Sequence, residues 1–217
     1  MHFCQRPLFR PLAAGFLGST CLVLGTALIT PAQSPLGSQS LGVSPLAAVP
    51  SSTTINVEGE RVRIQLRRYA PRGVPLQMGV PENSFVPRVQ SNESLTRVRF
   101  SAGRGGRVTS DDARINIIWF KEAMTFDETE TWLLRVAVLA AGGDVPLQPV
   151  RGRRSPYPWL RKEWRFVRGT GRNRIVGRAM VGKLKGKYFA VVHQLPIDMV
   201  EGYGPRVNAV LKTLQSR

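Results

Sequence analysis

From Arg61 to Arg68 the chain reads Arg-Val-Arg-Ile-Gln-Leu-Arg-Arg, and this alternation confines it to a strand with one dry and one wet face. A period of two turns Val62, Ile64 and Leu66 to one side and Arg61, Arg63, Gln65 and Arg67 to the other. Residues 95–102 repeat the pattern, with Val98 and Phe100 opposing Arg97 and Arg99. Residues 74–80 form a shorter extended segment, stopped by Pro81. Residues 113–120, Ala-Arg-Ile-Asn-Ile-Ile-Trp-Phe, are dense in β-branched and aromatic side chains, which predicts a strand central in its sheet. Three more strands are expected at 160–168, 174–181 and 187–194, with glycine-bearing turns at 169–173 and 182–186. Pro196 stops the last of them.

The period changes in two places. Thr125 is a good N-cap, Glu128 stands three residues on to close a capping box, and Asp127, Glu128 and Glu130 load the first turn with favourable negative charge. Phe126, Leu133, Leu134, Ala137, Val138 and Ala141 make an apolar stripe that Gly142-Gly143 ends. A closing helix runs from Met199 or Pro205 to Leu214 and buries Val207, Val210, Leu211 and Leu214. Strands, a helix, three strands and a helix predict an α+β domain, an antiparallel sheet with helices packed on it.

The ends have a different character. Arg6 and Arg10 precede an apolar run from Leu12 to Ile29, and Thr30-Pro31-Ala32 offers small residues before a cut, so residues 1–32 read as a cleaved export leader. Left uncut, the run would anchor the chain in a membrane. Residues 33–54 are uncharged and rich in Ser and Pro, a flexible linker, and 55–217 form a single domain. The compartments expected are the periplasm, the thylakoid lumen or the extracellular space. Both cysteines, Cys4 and Cys21, fall in the leader, so the domain has neither disulfide nor thiol chemistry.

Charge is the strongest functional signal. Lys and Arg number 31 against 14 Asp and Glu; without Arg6 and Arg10 the balance is 29 against 14, or +15. That excess favours an acidic protein complex or an anionic membrane surface as partner, with nucleic acid excluded by export. The candidate contacts are Arg61, Arg63, Arg97, Arg99, Arg151, Arg153, Arg154, Arg161, Lys162 and Arg165, with Trp159 and Trp164 interleaved among them. Arginine suits them because its fork matches carboxylate and phosphate oxygens.

Catalytic signals are sparse. Gly177-Arg-Ala-Met-Val-Gly182-Lys183 fits part of a phosphate-binding loop, but Leu184 stands where a Ser or Thr should bind magnesium, and the segment reads as strand and turn. His193 is the one histidine of the domain, with Asp198 and Glu201 nearby in sequence; together they form the enzyme alternative, an exported catalyst of unrecognised type. With no Cys and no His pair, neither a transition-metal site nor a cofactor is expected.

Three stretches carry a likeness to a known family: Val80-Pro-Glu-Asn-Ser-Phe85, Lys187-Tyr-Phe-Ala-Val-Val-His-Gln-Leu-Pro196, and the closing segment Gly204-Pro-Arg-Val-Asn-Ala-Val-Leu-Lys-Thr-Leu214. In these and in the order of its elements the chain resembles the PsbP-like family, named for an extrinsic subunit of photosystem II, whose fold periplasmic DcrB-type proteins share. Phe85 stands where family members often have Trp. The resemblance implies an α/β sandwich and a non-enzymatic accessory role in photosynthesis or envelope assembly.

Overall fold

The computed structural model describes residues 51–102, 113–140, 145–152 and 155–217. The leader expected at 1–32, most of the linker, the 142–143 helix stop, Arg153 and Arg154 lie outside these residues. Strands β1 (Ser51–Val57), β2 (Glu60–Tyr69), β3 (Leu76–Pro81), β4 (Val86–Ser91), β5 (Leu95–Ser101) and β6 (Arg114–Phe120) precede helix α1 (Phe126–Ala140). Strands β7 (Gln148–Pro149), β8 (Leu160–Arg168), β9 (Ile175–Leu184) and β10 (Lys187–Pro196) follow, then helix α2 (Val200–Thr213) and β11 (Gln215–Ser216). All pairings are antiparallel, in a four-stranded sheet ordered β1-β2-β3-β11 and a seven-stranded sheet ordered β4-β5-β6-β10-β9-β8-β7.

This corrects the expected fold class. The chain is mainly β, with two sheets and two helices among the described residues, and is not an α+β sandwich of one sheet under helices. The reason lies in β1 to β3. Period two identifies each strand but not its partners, so a second sheet is invisible in the pattern. Here β2 pairs β1 and β3, while β4 and β5 join the strands that follow them. β1 itself begins at Ser51, inside the stretch read as linker; opposite β2 its polar Ser and Thr residues complete a ladder.

The β9–β10 connection is two residues long, Lys185 and Gly186, both at positive φ (45° and 80°). That is the backbone of a tight hairpin turn whose twist matches the strands, and glycine adopts it without strain. The meander expected from the glycine turns is therefore present, with β9 running on to Leu184.

Helix α1 starts as its residues dictate. The Thr125 backbone N–H donates to Glu128 Oε2 at 2.8 Å, and the Glu128 N–H donates to Thr125 Oγ1 at 3.3 Å. The hydrogen bonds from Thr125 hold the Glu128 carboxyl below its usual range. A group with a depressed folded pKa stabilises above its unfolded pKa, and that contribution is lost as pH falls through the folded value. Thr125→Ala should cost about 1 kcal/mol in a urea titration. A loss within error would show that tertiary packing alone sets the helix start.

Each face of the seven-stranded sheet carries a core. On one face Ile118, Trp164, Ala179 and Val192 pack under Leu133 and Ala137 of α1. On the other, Phe100, Ile117, Met180 and Val191 meet Leu76 and Met78 of the four-stranded sheet and Val210 and Leu211 of α2. Helix α1 lies over β9 and β10 and meets β6 at Phe120, whose ring stands edge-on to Trp132 with centroids 5.0 Å apart. On that face α1 packs chiefly on β9 and β10, and neither described helix packs extensively on β4, β5 or the first half of β6. No described helix is long and apolar enough to cross a membrane.

Candidate anion-docking surface

The half of the α1-side face on which neither described helix packs extensively is basic. Arg88 of β4 lies directly opposite Arg99 of β5, and Arg99 in turn lies opposite Asn116 of β6. Strand alternation adds Arg97 and Arg114 to the same face. The Arg99 Nε donates to Asn116 Oδ1 at 3.2 Å, which fixes a half-buried guanidinium in the middle of the group. Burial first, then the charges of Arg97, Arg114 and Arg88, push the Arg99 pKa down. Like charges placed opposite one another on a sheet are destabilising. Among the described residues neither Arg88 nor Arg97 has an ion-pair partner. A cluster of this kind is stabilised when an anion approaches it.

A second basic region is concave. Between β8, β9 and α2 lies a cleft of about 450 Å³ whose walls include Arg165, Arg178, Glu163, Tyr157, Asn208 and Lys212. Arg165 and Arg178 are directly opposite across β8 and β9, and His193 of β10 continues the row. The Arg178 Nη1 donates to Glu163 Oε1 at 2.8 Å. Tyr157 is buried, donates from Oη to Asn208 Oδ1 at 2.7 Å and stacks on Trp159 at 5.3 Å between centroids. Burial, opposed by Arg178 and assisted by Glu163, pushes the Tyr157 hydroxyl up to about 12, so it remains a neutral donor.

The arginines expected to share one surface are divided among several. Arg97 and Arg99 belong to the basic β4–β5–β6 face. Arg161, Lys162 and Arg165 reach the cleft, and exposed Arg151 follows Val150 on its rim. Arg61 and Arg63 project from β2 of the other sheet, where Arg63 donates to Ser52 Oγ at 2.9 Å and 3.0 Å. Lys162 is committed elsewhere: its Nζ pairs with Glu130 Oε1 of α1 at 2.6 Å and sits over the Trp164 ring at 5.1 Å. Trp159 and Trp164 are core residues, and the Trp159 Nε1 donates to Leu211 O at 2.9 Å. Neither forms the surface contact expected of it.

Sequence reading missed Arg88, Arg114, Arg178 and Lys212. Arg178 was legible in principle, as the charged residue of an alternating strand. Arg88 was not, because β4 is short and interrupted by Pro87.

The enzyme alternative needs an accessible His193. The ring is only 7% exposed, and its Nδ1 has no hydrogen-bond partner. Burial, helped by the charge of Arg178, pushes its pKa down to about 3. A base that weak, closed off from solvent, accepts a proton poorly near neutral pH.

A comparison with protein-family models finds none that matches the chain, and a search of characterised proteins finds no relative.

Proposed function

We propose that the protein is a non-enzymatic accessory factor that docks, through the Arg88–Arg97–Arg99–Arg114 face, onto an acidic surface of a partner protein. One observation carries the reading: Arg88 and Arg99 oppose each other, with two more arginines beside them, on a sheet half where neither described helix packs extensively. The arginine forks suit carboxylates, and an open sheet face suits a broad partner. A protein is favoured over a membrane because membrane-surface binding uses exposed aromatic and aliphatic side chains. Among the described residues the exposed large hydrophobics are Val86 and Val167 alone. An accessory role is also what the PsbP-like resemblance implies, and a location outside the cytoplasm rests on the leader at residues 1–32.

The test uses the full chain and a poly-glutamate peptide of about 12 residues as probe, titrated across a salt series. Exposed charges are screened within about 8–10 Å at physiological ionic strength, so affinity should fall steeply with salt. Arg88→Ser with Arg97→Ser should weaken binding about tenfold and flatten the salt dependence, leaving thermal stability unchanged or raised. An unchanged affinity in this double variant would remove the face from the docking surface.

A further inference from the structure

We infer that the cleft between β8, β9 and α2 is a separate binding site for the dianionic head of a small phosphomonoester. Three cations reach it from three elements: Arg165 from β8, Arg178 from β9 and Lys212 from α2. Among the described residues the one carboxylate in its walls, Glu163, is held by a single nitrogen of Arg178, leaving the remaining guanidinium N–H groups of that residue available. Among the described residues neither the Arg165 nor the Lys212 side chain has a hydrogen-bond or ion-pair partner. Two further cations of the walls are occupied: Arg161 donates to the carbonyls of Pro158 and Leu160 at 3.3 Å, and Lys162 pairs with Glu130.

The number and directions of these donors select the ligand class. A planar carboxylate is satisfied by one arginine fork, and Arg178 already has such a partner in Glu163. A tetrahedral phosphoryl group presents three terminal oxygens and about two negative charges, which matches cations arriving from separate directions. Its size fits too, since ligand pockets span roughly 300–1,000 Å³ and this cleft holds about 450 Å³. Leu160 and Val150 supply apolar wall beside the cations, which would receive the organic part of a monoester. The site is firm on one side, where Tyr157 is pinned between Asn208 and Trp159. It is also distinct from the docking face, because Arg165 and Arg178 sit on the α2 side of the sheet and Arg97 and Arg99 on the α1 side.

The full chain is titrated calorimetrically with phenyl phosphate and with inorganic phosphate at constant ionic strength. Saturable binding of phenyl phosphate is expected, about tenfold tighter than inorganic phosphate, and lost in Arg165→Ala with Lys212→Ala. Both substituted residues are exposed, so the variant should fold, as a thermal melt would verify. The Arg88→Ser, Arg97→Ser variant should bind phenyl phosphate as the parent does, which separates this site from the docking face. No saturable binding, or binding undiminished in the Arg165/Lys212 variant, would overturn the site. Equal affinity for the two probes would overturn the monoester assignment.

Discussion

Gly182→Ala is expected to cost about 3 kcal/mol or more, a large share of a typical domain's stability of roughly 5–15 kcal/mol. A Cβ on Gly182 would stand 2.4 Å from Phe189 Cζ, 2.6 Å from Phe189 Cε1 and 2.7 Å from Trp159 Cε3. Both rings are buried, and neither can retreat freely: Trp159 is stacked on Tyr157 and tied to Leu211 O, and Phe189 lies within the core between the two sheets. Relief therefore requires moving strands, since close-packed interiors transmit strain. Urea unfolding of the variant should show a much lower midpoint at an unchanged slope. If the Trp159 ring is the obstacle, adding Trp159→Phe should cost less in the Gly182→Ala background than in the parent, a coupling that a double-mutant cycle reads directly. A change below about 0.5 kcal/mol for Gly182→Ala would mean that the rings yield.

Gly177 repeats the device on the opposite face, where a Cβ would lie 2.0 Å from Phe166 Cζ. The two glycines that imitate a phosphate-binding loop are thus seats for aromatic rings, five positions apart in one strand and facing opposite cores. The segment is strand throughout, and its second glycine, expected in a turn, lies within β9. In the structure the turn is Lys185-Gly186.

Local order was legible wherever one periodicity governed it. The span of β8 is Leu160–Arg168, as its pattern dictates, and Thr125 with Glu128 forms the capping box their spacing demands. The assignment of strands to sheets was not legible, because a strand's period reveals which residues are dry but not which sheet dries them. Met78 and Ile117 are equally buried, yet one belongs to the four-stranded sheet and the other to the seven-stranded one. The same limit scattered the basic residues. Arg61 and Arg97 occupy equivalent places in alternating strands, and only the pairing of β4, β5 and β6 sets Arg97 beside Arg88 and Arg99. Lys162 looked like one more contact until Glu130, 32 positions away in sequence, took its charge.

Lowering pH should destabilise the protein through His193 well before most carboxylates protonate. The folded ring resists a proton down to about pH 3 because it is buried beside Arg178. In the unfolded chain an ordinary histidine takes up a proton near pH 6.5. Between those values the unfolded state binds the extra proton, so stability falls as pH falls, by about 1.4 kcal/mol per unit. Over the whole window the loss approaches about 5 kcal/mol, and above pH 6.5 it vanishes. His193→Leu should cost less than about 1.5 kcal/mol at pH 7.5, because the Nδ1 it removes has no partner and the volume is nearly kept. Relative to the parent, that variant should gain about 2–3 kcal/mol between pH 7.5 and pH 4.5, a difference from which the shared carboxylates cancel. Urea unfolding of both proteins at the two pH values makes the comparison. Parallel losses in parent and variant would mean that the ring gains a proton in the folded state, and with it the access to solvent that a base in the enzyme alternative requires.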